Sequence, residues 1–292
     1  MKKIALLGVE NSHANTFLNY IKEMPEFSDI EVVGVYTDDK DAQSKLLEKF
    51  DVPVLESYDA AVGKVDGVII TARHGDNHYK YAKPYISSGI PMFIDKPITV
   101  SEDEAINFMK ELRAAGCRIS GGSSIRNDKL LLELKEEART DKDGKTAFGM
   151  VKAPVSMHNA YGGFFFYSQH LVEAMCEIFG AYPDAVSVTK NGDNLTVVFE
   201  YPEYNTVGLF HEGGYLYYAE RYTEKSAHVG QLASDGMKDW FYGEFKEYVE
   251  LLKGESSGRD YTEFIAPVFV MNAIARSIDS GKREAVRRYT LD

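Results

Sequence analysis

Two rhythms of apolar residues divide the chain. Up to residue 122, short apolar runs at 4–7, 31–36, 66–71, 91–94 and 118–120 alternate with segments whose apolar residues recur at helical spacing. Phe17, Leu18 and Ile21 mark one helical face, and Leu46, Leu47 and Phe50 a second. Ile106, Met109 and Leu112, with Arg113, mark a third helix. That helix opens in a capping box, Ser101 with Glu104, and stops at Gly116. Alternation of this kind predicts βαβ units and a Rossmann-type doubly wound parallel sheet, here of six strands.

After residue 122 the rhythm changes. A helix at 129–139 and a turn at 141–144 lead to β-branched and aromatic strands at 195–201, 206–210 and 215–218. The turn faintly resembles a calcium loop but lacks the later acidic ligands, so it reads as a turn. Asn191-Gly192 and 212–214 are turn signals between strands. Phe241, Phe245, Tyr248, Val249 and Leu252 predict one further helix, and 262–278 another. The fold class is therefore α/β: a Rossmann-type domain over 1–122, then an α+β domain over 123–292 with a mainly antiparallel open sheet. The second domain is expected to bind substrate and, through its aromatic sheet, to build a homodimer or homotetramer.

Composition narrows the class. The chain has 292 residues, 44% hydrophobic and 27% charged, with a net charge of −12, so a nucleic-acid partner is excluded on charge. No apolar run is long enough to span a bilayer, and none at the start suits a signal peptide, so no membrane partner is expected. Cys117 and Cys176 stand far apart, which fits a reducing, cytoplasmic setting and no cysteine metal site.

In a doubly wound sheet the ligand lies beyond the carboxyl ends of the strands. The residues there are Glu10, Asn11, Ser12 and His13, then Thr37 and Asp38. Thr71, Ala72, Arg73, His74, Asp76 and His78 follow a later strand; Asp95 and Lys96 follow the next; Ser123, Ser124 and Arg126 follow the last. Polar loops are common in any protein, and His78 as a helix cap is the plain alternative. Gathering His13, His74, Asp76 and His78 around a metal is another reading, but the His74–His78 spacing suits a helix better than a loop, and no metal is expected. The first loop keeps Gly8 for a tight turn but has Glu10 and His13 where a dinucleotide fingerprint has glycines. Asn11, Ser12 and His13 can donate to phosphate, whereas the Glu10 carboxylate must point away from it.

The most informative stretch is Asp95-Lys96-Pro97, a charged pair after a buried strand, stopped by proline. Taken alone the pair reads either as a solvated loop or as a fixed cation beside a substrate oxygen. With the layout of residues 33–97 it resembles the Gfo/Idh/MocA oxidoreductases, whose signature is Glu-Lys-Pro after the fifth strand. Residues 33–62 resemble that family's second strand, helix and short third strand, and His78 falls at or beside a family histidine. The family also carries Asp-x-x-x-His at a helix start; this chain has His170 in the histidine's place and Phe166 in the aspartate's.

The resemblance implies a hydride transfer between NAD, with NADP as the alternative cofactor, and a secondary carbinol or ketone carbon of a sugar, inositol or related polyol. It implies Lys96 and His170 as catalytic residues, Lys96 polarising the substrate oxygen and His170 exchanging the hydroxyl proton. A cofactor set follows: Gly8, Asn11, Ser12, His13, Thr37, Asp38, Thr71, Ala72, Arg73, His74, His78, Asp95, Lys96 and Ser124. Arg126, Tyr161 and Tyr167 join Lys96 and His170 around the substrate. Asp38 after the second strand favours NAD, because a carboxylate there binds ribose hydroxyls and repels a 2′-phosphate. Glu10 and Phe166 motivate the alternative, a weakly active or inactive dinucleotide- or sugar-binding protein with a sensing role. For His170 the plain alternative is a partly buried histidine early in a helix.

Overall fold

A computed structural model describes residues 1–290; positions 291 and 292 of the expected second domain lie outside the described residues. The chain forms two compact units. The first takes residues 1–99, 103–122 and 241–261; the second takes 100–102, 123–240 and the chain from 262.

The first unit runs β1 (Lys2–Leu7), α1 (Ser12–Glu23), β2 (Ile30–Tyr36), α2 (Lys40–Leu47), β3 (Gly67–Ile70), α3 (Asp76–Ile86), β4 (Met92–Asp95), α4 (Glu102–Ala114) and β5 (Ile119–Gly122). All its strands pair in parallel, in the order β2-β1-β3-β4-β5. The expected sixth strand is reduced to one bridge, Val54 to Val35. Pro53 beside it has no N–H to extend a ladder; its carbonyl accepts from Val35, and Leu55 donates back to Val35. Counting that bridge, the order becomes 3-2-1-4-5-6, that of dinucleotide-binding sheets.

Ile4, Leu6, Ile69 and Phe93 are fully buried, as strands covered on both faces require. Phe17 of α1 packs edge-on to Phe93 at 5.3 Å and stacks on Phe245 at 5.0 Å. Phe245 belongs to α7 (Lys238–Lys253), so residues 241–261, expected with the second domain, pack in the first unit. The apolar stripe Phe245, Tyr248, Val249 and Leu252 joins the core built on Phe17 and Phe27. Gly8 closes β1 at φ +81°, where a Cβ would stand 2.4 Å from the Ala72 amide nitrogen. That close approach is why the first fingerprint glycine persists.

The second unit runs α5 (Lys129–Arg139), β6 (Phe148–Val155), α6 (Phe165–Phe179), β7 (Ala185–Asn191), β8 (Asn194–Glu200), β9 (Asn205–Glu212), β10 (Tyr217–Tyr222), β11 (Ala227–Leu232), α8 (Tyr261–Ser280) and β12 (Glu284–Ala285). Its seven strands lie in the order β11-β10-β6-β9-β8-β7-β12. Successive hairpins make most pairs antiparallel, but β6 and β9 run parallel, so the open sheet is mixed. Gly208 in β9 lets α6 approach: a Cβ there would stand 2.9 Å from Leu171. Along β9, Thr206 and Phe210 are buried while Val207 and Leu209 are half-buried on the other face. The 141–144 segment is a turn: carbonyl oxygens of Lys142 and Gly144 accept from the Arg221 guanidinium at 3.2 and 2.8 Å. Among the described residues, no helix is long and apolar enough to cross a membrane.

Candidate functional site

In the first unit the loops after β1, β2 and β3 meet through Glu10. One of its carboxylate oxygens accepts the Thr37 hydroxyl at 2.7 Å and the other accepts the Arg73 amide at 3.0 Å. The carboxylate is thus tied back to two neighbouring loops. Thr71, fully buried, donates its hydroxyl to the Gly8 carbonyl at 3.0 Å. Asn11 is the N-cap of α1 and accepts from the His13 amide at 3.3 Å; Ser12 beside it is exposed. His74 lies 3.7 Å from Asp76 at the start of α3.

At the end of β2, Asp38 accepts hydroxyl protons from Tyr36 and from Tyr81, the latter at 2.9 Å, with the Lys80 ammonium 3.9 Å away. The Tyr36 hydrogen bond, with help from Tyr81 and Lys80, holds the Asp38 carboxyl below its usual range despite some burial. An exposed, ionised carboxylate with adjacent hydroxyls at this strand end suits ribose hydroxyls.

Asp95 and Lys96 are not a solvated pair: they are 0% and 5% exposed. Asp95 accepts from its neighbour's amide, Lys96 N, at 2.7 Å and from the Asn11 side chain at 3.1 Å. His13 Nδ1 lies 2.9 Å from the same carboxylate. Burial works against the charge on Asp95, but His13, Lys96 and His78 outweigh it and hold the carboxyl below its usual range. Burial pushes the Lys96 amine below the usual lysine range, opposed by Asp95 and Glu244 and aided by Arg73. A lysine so placed changes protonation more readily than an exposed one.

Two histidines are tied to protein groups inside the first unit. His13, expected among the cofactor ligands, is 5% exposed and turned onto Asp95, with Glu244 at 3.9 Å and the Phe241 ring 4.8 Å away. His78 is fully buried, its Nδ1 2.7 Å from the Pro97 carbonyl and its Nε2 2.8 Å from the Ala72 carbonyl. It braces the loops after β3 and β4, neither capping α3 nor facing a ligand, and burial lowers its pKa, opposed by Asp95 and the carbonyls. The set His13, His74, Asp76 and His78 therefore does not converge. The group whose ligand atoms do lie within 4.8 Å of one another is His13, Asp95 and Glu244, all buried. Its donors suit a divalent cation, but Lys96 is already coupled to both acids and its charge opposes a second cation.

Sequence reasoning missed Glu244. Its legible signal was a carboxylate on the apolar stripe of α7, between Phe241 and Phe245.

In the second unit, His170 lies in α6 and is 6% exposed. Its Nδ1 is 2.6 Å from the Ser123 hydroxyl. Tyr167 and Tyr217 lie 5.7 and 6.2 Å from its ring. Phe166, where the family has aspartate, packs between Tyr161 at 5.0 Å and Tyr167 at 4.8 Å, so an aromatic cluster replaces a carboxylate. Ser124 is buried, and Arg126 is 3.9 Å from Glu177. The geometry brings Tyr161, Tyr167 and His170 into one neighbourhood; Arg126 is committed to an ion pair.

Comparison with known proteins bears on the fold. No curated protein sequence matches the chain significantly. Several solved structures share its fold. GenD2 from gentamicin A biosynthesis, solved in complex with NAD, is 15% identical with a TM-score of 0.84, covering 98% of this chain and 96% of that one. A myo-inositol dehydrogenase from Corynebacterium glutamicum ATCC 13032 is 14% identical with a TM-score of 0.80, covering 99% and 100%. The scyllo-inositol dehydrogenase from Lactobacillus casei is 13% identical with a TM-score of 0.83, covering 98% of each. Residues 2–123 match the model of the Gfo/Idh/MocA oxidoreductase family, described as its NAD-binding Rossmann fold. With its parallel sheet and its Asp95-Lys96-Pro97 corner, the N-terminal part of this chain is thus similar to the NAD-binding Rossmann fold of the Gfo/Idh/MocA oxidoreductases.

Proposed function

We propose that the protein is an NAD-dependent oxidoreductase acting on a secondary alcohol or ketone carbon of a polyhydroxylated substrate such as an inositol or a sugar. The observation that carries this reading is a buried lysine, Lys96, at the carboxyl end of β4 in a Rossmann fold of an NAD-binding family. The residues fit the cofactor at its ribose end, where Asp38 is exposed and ionised, and at its phosphate end, where Glu10 is tied back by Thr37 and Arg73. Gly8, Ser12, Thr37, Asp38 and Arg73 are the proposed cofactor neighbours. NAD supplies the hydride acceptor. In the first unit Lys96 is the proposed group for the substrate oxygen; in the second unit His170 is the proposed proton-exchanging group, and Tyr161 and Tyr167 are proposed substrate neighbours.

Self-association through the second sheet is part of this proposal. Phe148 and Tyr218 are 38% and 36% exposed on it, beside half-buried Val207 and Leu209.

A sensing role without turnover is the second reading. Asn11 already accepts one α1 amide, that of His13, and Phe166 replaces the carboxylate of the family it resembles. Incubating the protein with NAD⁺ and a panel of inositols and sugars separates the two: the enzyme forms NADH, whereas a sensor binds without forming it.

A further inference from the structure

The Asp38 carboxylate is held by tyrosines from two elements of the first unit. Tyr36, at the end of β2, donates its hydroxyl to Oδ1, and Tyr81 of α3 donates to Oδ2 at 2.9 Å. The polar groups on either side of Asp38 have other partners. The Thr37 hydroxyl donates to Glu10 and accepts the Asp39 amide, and the Asp39 carboxylate accepts the Ala42 amide as N-cap of α2. Asp38 alone turns its carboxylate outward, with its side chain 61% exposed. Tyr81 is held more firmly. It is buried, with the Tyr36 ring edge-on at 5.7 Å and the Tyr58 ring at 5.2 Å. Tyr85, one turn further along α3, donates to the Tyr58 carbonyl at 2.7 Å and so fixes that neighbour too. The Lys80 ammonium lies 5.4 and 5.6 Å from the Tyr81 and Tyr58 ring centres and 3.9 Å from Asp38 Oδ2, beyond hydrogen-bond reach.

An ionised carboxylate offers about four acceptor sites, roughly two on each oxygen. Tyr36 takes a site on one oxygen and Tyr81 a site on the other, so each oxygen keeps an acceptor site for a ligand. Two acceptors side by side match the two hydroxyls of a vicinal cis-diol. We propose that Tyr81 is a specificity-determining positioning residue: from α3 it fixes the Asp38 carboxylate in the orientation that accepts both hydroxyls of a vicinal diol, the adenosine ribose of NAD. This rests on the NAD-binding part of the proposed function. Tyr36 holds one carboxylate oxygen from the strand that carries Asp38 itself, which leaves the other free to swing. Tyr81 holds that other oxygen from a separate helix, so the carboxylate is oriented before the cofactor arrives. A 2′-phosphate removes one hydroxyl donor of the diol and brings negative charge against Asp38, so the same arrangement disfavours NADP.

The test is calorimetric titration of the full chain with NADH and with NADPH, for the parent, Tyr81→Phe, Asp38→Ala and the double variant. Tyr81→Phe removes the hydroxyl and keeps the buried ring. It should weaken NADH binding roughly two- to tenfold, the cost of ordering one side chain on binding, and leave NADPH binding nearly unchanged. In the Asp38→Ala background the same substitution should have no further effect. One measurement needs no variant: NADH lacking its adenosine 2′-hydroxyl should bind the parent roughly tenfold more weakly than NADH, the value of a hydrogen bond to a charged group. Parental NADH affinity in Tyr81→Phe, an equal loss for both cofactors, a loss that persists without Asp38, or full affinity for the 2′-deoxy cofactor overturns the proposal. Each of these leaves the oxidoreductase reading standing, whereas a parent that binds neither cofactor removes both.

Discussion

His13 Nδ1 lies 2.9 Å from the carboxylate of Asp95, joining the first turn of α1 to the end of β4 inside the first unit. Asp95 is fully buried, and its charge is held by His13, Lys96 and His78, with Asn11 and its own corner's amide donating to it. Replacing Asp95 with Asn should cost about 3–5 kcal/mol at neutral pH, the usual cost of removing one partner of a buried pair. The pH dependence has a definite sign. A carboxyl whose pKa is depressed by folding adds stability above its unfolded pKa of about 4, and loses it as the pH falls through the folded value. The gap between parent and Asp95→Asn should therefore shrink as the solution is acidified below about pH 4. Denaturant titrations across pH check this; a gap constant down to strong acid would assign the loss to packing instead.

Asp38 should choose the cofactor. Tyr36 and Tyr81 donate to it and keep it ionised at the end of β2. NADH should bind more tightly than NADPH, and Asp38→Ala should cost NADH about tenfold while narrowing the gap. Calorimetric titration with both cofactors decides, and tighter NADPH binding by the parent would reverse the assignment.

The second sheet should pair with another copy. The parent protein should scatter as a particle larger than its single-chain mass of 32.8 kDa. Leu209→Lys, placing a charge on the half-buried face of β9, should shift it toward that mass without unfolding the chain. A parent already at the single-chain mass at micromolar concentration would remove the proposal.

Much of the fold was legible because it rests on local rhythm. The buried runs of β1 to β5 and the apolar faces of α1, α2 and α4 appear in consecutive residues. β6 was hidden: its Gly149 and Pro154 break the strand signal, yet Pro154 lies past the β10 pairing, where a missing N–H costs nothing on that side. The placement of α7 was also hidden, because an apolar stripe says that a helix is buried but not against which sheet. The site divides in the same way. Lys96 and Asp38 announce themselves by standing at strand ends. Glu10 becomes intelligible only with Thr37 and Arg73 beside it, and Glu244 only beside His13, contacts between residues far apart in sequence.

NAD-dependent turnover through Lys96 is decided by following NADH formation from NAD⁺ with a panel of inositols and sugars, for the parent and for Lys96→Met. Methionine keeps most of the side-chain volume and removes the amine. At least one polyol should yield NADH with the parent, and Lys96→Met should lower kcat roughly 10²–10³-fold while cofactor affinity changes little. A working substrate whose oxidation by Lys96→Met proceeds at the parental kcat would contradict turnover through Lys96.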